Sequence, residues 1–364
     1  MTPPRSILVL SLAGIGNTLL ATPMLRRMKE KRPSTKLSVL VMFEGSAEVL
    51  RHNPCVDEVI LWNFLKGGTL RSLAFLGRLR RRKFDCLIQT YPSNRWEYNV
   101  IGWLLGGKRQ VGHRYRHDNF RCLNFLKGAT VLEDDSLHDA QENVRLLTLL
   151  GIQPAPPGPL ELYLSQVESA FAENWLREKR LLGKRLIGLH VGSALFKNQI
   201  RRRWAPERFA QVADRLAEEK NTAILLFGGK EDEEANDRCI QAMKTTSHLV
   251  MGRRFLETAA LLTRCQLLVT NDSALMHAAA ALRVPTVAIF GPTNPAYVRP
   301  FQARHRIVRK ELPCSPCFFY SPRPLQCYRK EKDFACLNWI EPDEVTSAGL
   351  SLLKEREERK DFHG

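Results

Sequence analysis

Glycines, hydroxyls and cations recur in three short segments that each follow a run of apolar residues. The first segment, residues 13–18, contains Gly14 and Gly16. Glycines between a strand and a helix let an anionic group approach the backbone amides at the helix N-terminus. The segment lacks the third glycine of a dinucleotide fingerprint and the Gly-Lys-Ser/Thr of a Walker loop. A tight turn without a ligand therefore fits this pattern equally well.

The second segment, residues 190–206, combines a hydroxyl group with cations. Gly192 and Ser193 end a predicted strand, and Lys197 and Arg203 follow within the next ten residues. A serine hydroxyl, exposed backbone amides and two cations together suit a diphosphate. The alternative is a solvent-exposed loop with scattered charges.

The third segment, residues 270–277, lies between a predicted strand and an alanine-rich helix. Asp272 is predicted to cap that helix through its side chain. Ser273 and His277 are four residues apart, so they share a helix face near the positive helix end, where an anion is stabilised. A capping aspartate alone is usually structural, but the three side chains together favour an anion site.

Four of the nine cysteines lie close together near the C-terminus: Cys314, Cys317, Cys327 and Cys336. The first two have the C-x-x-C spacing of a zinc knuckle or a redox pair, and two more thiols complete a set of four. Eight residues separate the second two, which is wider than the usual zinc spacing. The interpretations left open are a structural zinc site, a disulfide staple and four plain thiols.

Short apolar runs alternate with helical periodicity in both halves of the chain, which predicts α/β units with parallel sheets. The predicted strands are residues 7–10, 37–42, 59–61 and 86–88, then 186–191, 223–227, 267–270 and 286–290. The proline-rich residues 154–159 predict a linker. We therefore expect doubly wound lobes over residues 1–160 and 161–340 with a ligand cleft between them, and a closing helix and tail over residues 341–364.

The chain is basic, with 55 Lys and Arg against 38 Asp and Glu and a formal net charge of +17. Basic runs begin near residues 78, 108 and 197 and favour polyanionic partners such as phosphorylated substrates or an anionic membrane surface. No stretch reaches the about 18 apolar residues of a spanning helix, and the first residues do not form a signal-peptide core. The sequence predicts a cytoplasmic protein that contacts the inner membrane peripherally.

Two of the segments resemble glycosyltransferase family 9, the ADP-heptose:lipopolysaccharide heptosyltransferase family. Residues 14–23 read Gly-Ile-Gly-Asn-Thr-Leu-Leu-Ala-Thr-Pro and are similar to the opening loop of that family. Residues 271–282 read Asn-Asp-Ser-Ala-Leu-Met-His-Ala-Ala-Ala-Ala-Leu, continue through residues 284–295, and resemble its donor-binding signature. The resemblance extends from about residue 6 to residue 350.

This resemblance implies a GT-B fold and an inverting transfer, without a catalytic metal or cofactor, of heptose or a related sugar. The implied donor is ADP-linked, and the implied acceptor is a lipopolysaccharide core or lipid A. The loop with Gly14, Gly16 and Thr18 would face the acceptor. The implied donor-binding residues are Gly192, Ser193, Lys197, Arg203, Glu231, Asp272, Ser273, Ala274, Leu275 and His277, with Glu231 at the nucleotide ribose.

One position departs from the family pattern. Family members with transferase activity usually carry an aspartate after the Gly-x-Gly as general base for the acceptor hydroxyl, and this chain has Asn17. A neutral amide cannot accept that proton, although it can orient the acceptor. General-base assistance contributes roughly a hundred- to ten-thousand-fold in rate. Glu44 and Glu97 are the candidate substitutes, and a different acceptor or a weak catalyst are the alternatives.

Three other functions remain open from the sequence. A degenerate family member would bind a nucleotide-sugar with little turnover, which Asn17 would permit. A nucleotide-sugar epimerase shares the two-lobe architecture but needs carboxylates facing the sugar from both lobes. A nucleic-acid binder fits the basic runs, but the sequence shows no recognised binding module or aromatic platform, so no nucleic-acid partner is expected.

Overall fold

The structure is a computed structural model that describes residues 4–153, 155–318 and 324–361, without the side chains of residues 357 and 359–361. The chain divides into two compact units, Met1–Tyr163 and Leu164–Gly364. Each unit contains a six-stranded sheet with flanking helices, and every strand pairing is parallel. The α/β fold class and the two Rossmann-like lobes predicted from the sequence are confirmed.

The first unit alternates strands and helices along the chain. Its elements are β1 (Ser6–Ser11), α1 (Ile15–Lys31), β2 (Lys36–Val41), α2 (Glu44–Leu50), β3 (Glu58–Leu61), α3 (Thr69–Arg80), β4 (Cys86–Gln89), α4 (Trp96–Leu105), β5 (Arg109–Arg114), β6 (Ala129–Leu132) and α5 (Asp139–Arg145). The strand order in the sheet is β3-β2-β1-β4-β5-β6.

The second unit repeats this arrangement. Its elements are α6 (Gln166–Glu178), β7 (Arg185–His190), α7 (Pro206–Ala217), β8 (Thr222–Phe227), α8 (Glu233–Ala242), β9 (Ser247–Val250), α9 (Phe255–Thr263), β10 (Leu267–Asn271), α10 (Ala274–Ala281), β11 (Thr286–Ile289), α11 (Pro295–Val298), β12 (His305–Val308), α12 (Ala335–Asn338) and α13 (Pro342–Asp361). The order is β12-β11-β10-β7-β8-β9, which has the same connectivity as the first sheet.

Both sheets reverse their winding between the first and the fourth strand. In the first sheet β1 lies between β2 and β4, and in the second β7 lies between β8 and β10. In an open parallel sheet, ligands bind at the carboxyl ends of the strands where the strand order reverses. The loops that follow β1 and β4, and those that follow β7 and β10, are therefore the places to look for binding groups.

The core of the second unit centres on Trp204 and α7. Trp204 is fully buried, stacks edge-on against Phe209 at 5.2 Å between ring centroids, and donates from Nε1 to the carbonyl oxygen of Ile340 at 3.2 Å. α7 starts with Pro206 at its first position, where a missing N–H is harmless. Trp204 therefore anchors the loop that follows β7 to the hydrophobic core.

The structure differs from the predicted elements in two ways. Four strands that the sequence did not reveal, β5, β6, β9 and β12, complete the sheets, so residues 286–290 are not the last strand. The sequence predicts a helix over residues 19–28 with Pro23 near its first turns, whereas α1 begins at Ile15 and Pro23 lies inside the helix. Gly16, Asn17 and Thr18 consequently belong to the first turn of α1.

The first unit ends at Tyr163, a few residues after the proline-rich segment. The backbone N–H of Glu161 donates to Thr22 Oγ1 at 3.0 Å, and Arg26 forms an ion pair with the Glu161 carboxylate. Residues 155–163 therefore stay with α1, while Pro154 lies outside the described residues. α13, which the sequence placed in a separate closing segment, packs on α7 and on β10, β11 and β12 as part of the second unit.

Truncating the Trp204 side chain tests how much its packing stabilises this core. Trp204→Ala is expected to lower the free energy of unfolding by about 3–5 kcal/mol, because it leaves a large cavity. Trp204→Phe should lower it by only about 1–2 kcal/mol, through the smaller void and the lost hydrogen bond. Guanidinium denaturation followed by far-UV circular dichroism measures both. Trp103→Ala on α4, where the side chain is 55% exposed, is the control; equal midpoints for Trp204→Ala and Trp103→Ala would contradict the account.

Candidate functional site

Asn271 joins the loops that follow β7 and β10. Its fully buried side chain donates to the carbonyl oxygen of Val191 at 2.8 Å and accepts from the backbone N–H of Trp204 at 2.9 Å. The two contacts fall at the beginning and the end of the loop after β7. One amide at the carboxyl end of β10 thus fixes both ends of a neighbouring loop at the point where the second sheet reverses.

Asp272 forms a buried ion pair within the same region. Arg202 Nη1 lies 2.5 Å from Asp272 Oδ2, and the two side chains are 7% and 6% exposed. Arg202 Nη2 also donates to Gln199 Oε1 at 2.6 Å. The predicted helix-capping role of Asp272 is wrong: Ser273 is the N-cap residue of α10, and the Asp272 carboxylate balances the charge of Arg202 instead.

Asp232, in the loop after β8, forms the second buried ion pair. Arg203 Nη2 lies 2.6 Å from Asp232 Oδ1 and 2.5 Å from the carbonyl oxygen of Ser193. Burial opposes ionisation of Asp232, but hydrogen bonds from His190 and the Gly229 amide, with the charges of His190 and Arg203, hold the pKa of this carboxyl below its usual value. Asp232 therefore connects the loops after β7 and β8.

Two further contacts close this polar network. The Nδ1 atom of His190 lies 3.0 Å from Ser273 Oγ, which fixes the hydroxyl at the N-terminus of α10. Gly192 packs directly on Asp232, because a Cβ atom at position 192 would lie 2.3 Å from Asp232 Oδ1. A larger residue at position 192 would force the Asp232 carboxylate out of its place.

His277 is buried on α10. Burial first, and then the charge of Arg202, lowers the pKa of His277 to about 3. The ring is therefore neutral at ordinary pH. Its Nδ1 atom has no hydrogen-bond partner within the part of the chain that the structure describes.

Most of the predicted donor residues come together in the second unit. The residues on the loops after β7 and β10 and on the first turns of α10 are Gly192, Ser193, Arg203, Asp272, Ser273, Ala274, Leu275 and His277. Lys197 lies in the 3-10 helical segment Phe196–Arg202 with a positive φ of 55°. Glu231 is exposed in the loop after β8, next to Gly229.

The sequence interpretation missed the residues that hold these loops: His190, Arg202, Asp232 and Asn271. Arg202, Asp232 and Asn271 are each direct neighbours in sequence of a residue that was assigned a role, and His190 lies two residues before Gly192. Spacing alone cannot tell which of two adjacent charges, such as Arg202 and Arg203 or Glu231 and Asp232, turns inward. Here both arginines are buried in ion pairs, whereas only one of the two acids is buried.

The first unit has a smaller site at the carboxyl ends of β1 and β4. The Tyr98 hydroxyl donates to the carbonyl oxygen of Leu12 at 3.1 Å, and Thr90 Oγ1 donates to that of Leu10 at 3.2 Å. A small cavity between these loops is lined by Leu10, Leu12, Ala13, Gln89, Thr90, Pro92, Ser93 and Tyr98. This is the position at which the first sheet reverses.

Asn17, at the family's base position, and the two candidate substitute bases follow three adjacent strands. Asn17 is half-buried on the first turn of α1, after β1. Glu97 lies on the first turn of α4, after β4, with Oε1 3.2 Å from Arg95 Nη2. Glu44 is exposed at the first residue of α2, after β2. Because β2, β1 and β4 are neighbours in the sheet, all three residues lie near the carboxyl ends of adjacent strands. Glu97 is on the β4 side of the position where the strand order reverses.

In the acceptor-side loop, Gly14 is the N-cap residue of α1, and Thr18 Oγ1 lies 3.0 Å from Ser11 Oγ and 3.3 Å from the carbonyl oxygen of Gly14. These contacts tie the first turn of α1 to the end of β1. Asn17 is therefore presented from a well-anchored turn.

Comparison with known proteins decides the family. Residues 72–328 match the family model described as glycosyltransferase family 9 (heptosyltransferase). Lipopolysaccharide heptosyltransferase 2 of Escherichia coli strain K12 is 35% identical over 323 residues, which cover 83% of this chain and 87% of that protein. The chain belongs to glycosyltransferase family 9.

Solved structures of the family share the fold. A family 9 glycosyltransferase from Veillonella parvula matches with a TM-score of 0.78 and 26% identity, over 96% of this chain and 97% of that chain. The ADP-heptose lipopolysaccharide heptosyltransferase II of Escherichia coli matches with a TM-score of 0.75 and 21% identity, over 97% of this chain and 99% of that chain. The predicted GT-B fold class and glycosyltransferase activity are confirmed.

Two further sequence predictions concern metal and membrane. As the side chains stand in residues 4–153, 155–318 and 324–361, no group of three or more His, Cys, Asp or Glu residues is arranged to hold a metal ion, and no disulfide joins the cysteines of these ranges. Within the same ranges, no helix is long and apolar enough to cross a membrane. The zinc site stays a prediction for this family 9 enzyme.

The buried neutral His277 predicts a specific pH dependence of stability. The unfolded chain protonates an ordinary histidine near pH 6.5, whereas the folded chain does so only near pH 3, so stability is lost as the pH falls below about 6.5. Relative to His277→Gln, wild type should lose about 1.4 kcal/mol of unfolding free energy per pH unit between pH 6 and pH 4. Urea denaturation at several pH values measures this; parallel curves for the two proteins would contradict it.

Proposed function

We propose that this family 9 glycosyltransferase transfers heptose, or a related sugar, from an ADP-linked donor to the inner core of lipopolysaccharide. The observation that carries the proposal is the convergence of Ser193, Ser273 and the N-terminus of α10 at the reversal point of the second sheet. The name of the Escherichia coli relative, lipopolysaccharide heptosyltransferase 2, supports the choice of sugar and acceptor.

The proposed donor site uses amides and hydroxyls more than free charge. The first N–H groups of a helix lack intrahelical partners and lie at its positive end, which suits a diphosphate. Ser193 adds a hydroxyl on the neighbouring loop, and Lys197 is the proposed cation for the diphosphate. Arg203 also holds Asp232 and the Ser193 carbonyl in place, and its contact with the diphosphate stays a prediction. We assign Glu231 to the nucleotide ribose.

The reaction is a single displacement at the anomeric carbon. The acceptor hydroxyl oxygen bonds to that carbon as the carbon–oxygen bond to the β-phosphate breaks, and ADP leaves with the bonding electrons. The α10 amides and Ser193 stabilise the charge that develops on the departing diphosphate. The hydroxyl proton passes to a carboxylate, for which we propose Glu97, because α4 follows the strand next to β1 at the reversal point. Asn17 orients the hydroxyl.

Transfer is tested with purified protein, ADP-heptose, and deacylated Kdo-lipid A carrying no heptose or one heptose. ADP release that depends on the acceptor, with a matching mass increase of the acceptor, is the expected result. ADP binding in a calorimeter without ADP release would indicate the degenerate family member. Release of ADP without any acceptor requirement would contradict an acceptor-specific transferase.

The general base is tested by substitutions in the first unit. Glu97→Gln is expected to lower kcat by roughly a hundred- to ten-thousand-fold, since it removes the proton acceptor. Asn17→Asp should match or exceed wild type, because it supplies a carboxylate at the usual family position. Glu44→Gln is the matched control and should retain wild-type kcat. A loss with Glu44→Gln and none with Glu97→Gln would reverse the assignment.

We also propose that the start of α3 contacts an anionic membrane surface. The α3 surface consists of Leu65, Lys66, Leu70, Arg71 and Leu73, all exposed. Leu70 and Leu73 are 82% and 48% exposed, beside Arg71, and the basic run at residues 78–83 follows. Apolar side chains interleaved with cations suit the boundary between headgroups and acyl chains, and an acceptor with a lipid anchor lies in such a surface.

Vesicle co-sedimentation tests the α3 surface. Binding should be strong to phosphatidylglycerol-containing vesicles, weak to phosphatidylcholine vesicles, and reduced by salt. Leu70→Ser with Leu73→Ser should reduce binding severalfold without changing ADP affinity. Val167→Ser, at a position on α6 that is 68% exposed, is the control. Unchanged binding of the double variant would exclude the α3 surface as the contact.

A further inference from the structure

The small cavity between the loops after β1 and β4 contains polar side chains that the proposed displacement leaves without a role. Its lining residues are buried except Ala13 and Pro92, which are half-buried, so the cavity opens between these two loops. An open parallel sheet binds its ligands at such a reversal point. The polar side chains of the lining that bear on a ligand are Gln89 and Ser93.

Gln89, the last residue of β4, brings an unused hydrogen-bond acceptor to the cavity. The residue is 3% exposed, and its Oε1 atom has no hydrogen-bond partner in the part of the chain that the structure describes. Its amide packs closely on Gly102 of α4, where a Cβ atom would lie 2.4 Å from Gln89 Nε2, so α4 limits how far the amide can turn. A buried amide oxygen without a partner is destabilising unless a ligand or water donates to it.

Ser93, in the loop after β4, brings a hydroxyl group to the same cavity. Its backbone N–H donates to the Tyr115 hydroxyl at 2.5 Å, and the two hydroxyl oxygens lie 3.3 Å apart. Within the described residues, Ser93 Oγ is the acceptor available for the proton of the Tyr115 hydroxyl. The Tyr115 hydroxyl therefore donates to Ser93 Oγ.

Lys127 acts on Ser93 from the protein interior. Its Nζ atom donates to three neutral oxygens, which are Asn124 Oδ1 at 2.7 Å, the carbonyl oxygen of His113 at 2.9 Å and Ser93 Oγ at 3.3 Å. Burial lowers the pKa of Lys127 to about 7, so the ammonium form predominates below that pH. An ammonium group only donates. Ser93 Oγ is therefore the acceptor in its hydrogen bond with Lys127.

Gly112 of β5 provides the space for this lysine. A Cβ atom at position 112 would lie 3.0 Å from Lys127 Cδ and 3.6 Å from Gln89 Cβ. The Lys127 side chain thus crosses β5 beside Gln89, and its Nζ atom lies 4.9 Å from the centroid of the Tyr115 ring. Close packing therefore fixes the groups that surround Ser93 and Gln89.

We propose that Ser93 and Gln89 bind one hydroxyl group of the acceptor saccharide. Because Ser93 Oγ accepts from Lys127 and Tyr115, its own proton can be donated into the cavity, where Gln89 Oε1 can accept. A hydroxyl group accepts from the one and donates to the other. An ionised phosphate or carboxylate cannot donate to Gln89, and an ammonium group cannot accept from Ser93. Water has the same capacity as a hydroxyl group and is expected there in the free enzyme.

This subsite deepens the proposed function and rests on it for the identity of the saccharide. Ala13, which lines the cavity, directly precedes the N-cap residue of α1, and Asn17 lies on the first turn of that helix. A hydroxyl held in the cavity is therefore close to the loop that presents Asn17. Ser93 and Gln89 select acceptors that carry a hydroxyl at this place, and Lys127 is a positioning residue that acts through Ser93.

Steady-state transfer at about pH 6, where Lys127 is protonated, tests the subsite with deacylated Kdo-lipid A and saturating ADP-heptose. Ser93→Ala and Gln89→Met should each raise the acceptor KM roughly tenfold, and the double variant much less than a hundredfold, because both groups bind one hydroxyl. Lys127→Met should also raise the acceptor KM. ADP affinity, measured by calorimetry, should not change. Ser136→Ala, at an exposed position of the first unit, is the matched control. An unchanged acceptor KM in both single variants would overturn the proposal.

A crystal structure of the wild-type full chain tests the subsite without depending on turnover or on the folding of a variant. The expected result is an ordered oxygen atom within hydrogen-bond distance of both Ser93 Oγ and Gln89 Oε1, from water in the free enzyme and from the saccharide after soaking with deacylated Kdo-lipid A. An empty cavity, or water that the bound saccharide does not displace, would overturn the subsite. The oxygen atom at this place in a protein that does not transfer heptose would support the hydroxyl site and contradict the proposed acceptor.

Discussion

Two buried carboxylates, Asp232 and Asp272, hold the second unit's binding loops in place. Each neutralises one of two adjacent arginines, Arg203 and Arg202, and both pairs are almost completely buried. Removing one partner of a buried ion pair typically lowers the free energy of unfolding by about 3–5 kcal/mol, because the remaining buried charge is uncompensated. The loop after β7 therefore cannot move far without exposing a buried charge to solvent or leaving it buried without its partner. Asn271 adds the same constraint through neutral hydrogen bonds at both ends of this loop.

This network balances the charges next to the proposed donor site. Arg202, Arg203, Asp232 and Asp272 neutralise one another, and His277 is neutral because of its burial. The groups that we propose for the diphosphate are the positive end of α10, the hydroxyls of Ser193 and Ser273, and Lys197. A site built from oriented dipoles on a rigid scaffold stabilises a leaving diphosphate without rearranging during the reaction. The rigid network is therefore consistent with the proposed displacement of ADP.

The sequence predicted the frame of the fold well and its periphery poorly. The central strands are apolar and fully buried, as in Leu267–Asn271, so their pattern was visible. Strands such as Arg109–Arg114 and His305–Val308 carry arginine and histidine and are only partly buried, which hides them from hydrophobic periodicity. α1 was shortened because Pro23 was placed near a helix start, whereas tertiary packing tolerates it inside the helix.

The candidate site was predicted at the level of segments but not of side chains. The three segments follow β1, β7 and β10, which are strands beside the reversal points of the two sheets. Asp272 forms an ion pair instead of capping a helix, which could be predicted only from the position of Arg202. The neutrality of His277 could be predicted only from its burial. Both are facts of three-dimensional packing, which residue types and spacing do not contain.

We expect an ADP-linked donor to bind the loops fixed by Asp232 and Asp272 in the second unit. Amide hydrogen exchange of the full chain, followed by mass spectrometry with and without ADP, tests it most directly, because it reports which loops are ordered by the nucleotide. The account predicts slower exchange in residues 191–204, 228–232 and 270–278. Protection confined to the first unit, or no protection at ADP concentrations that saturate binding, would contradict it.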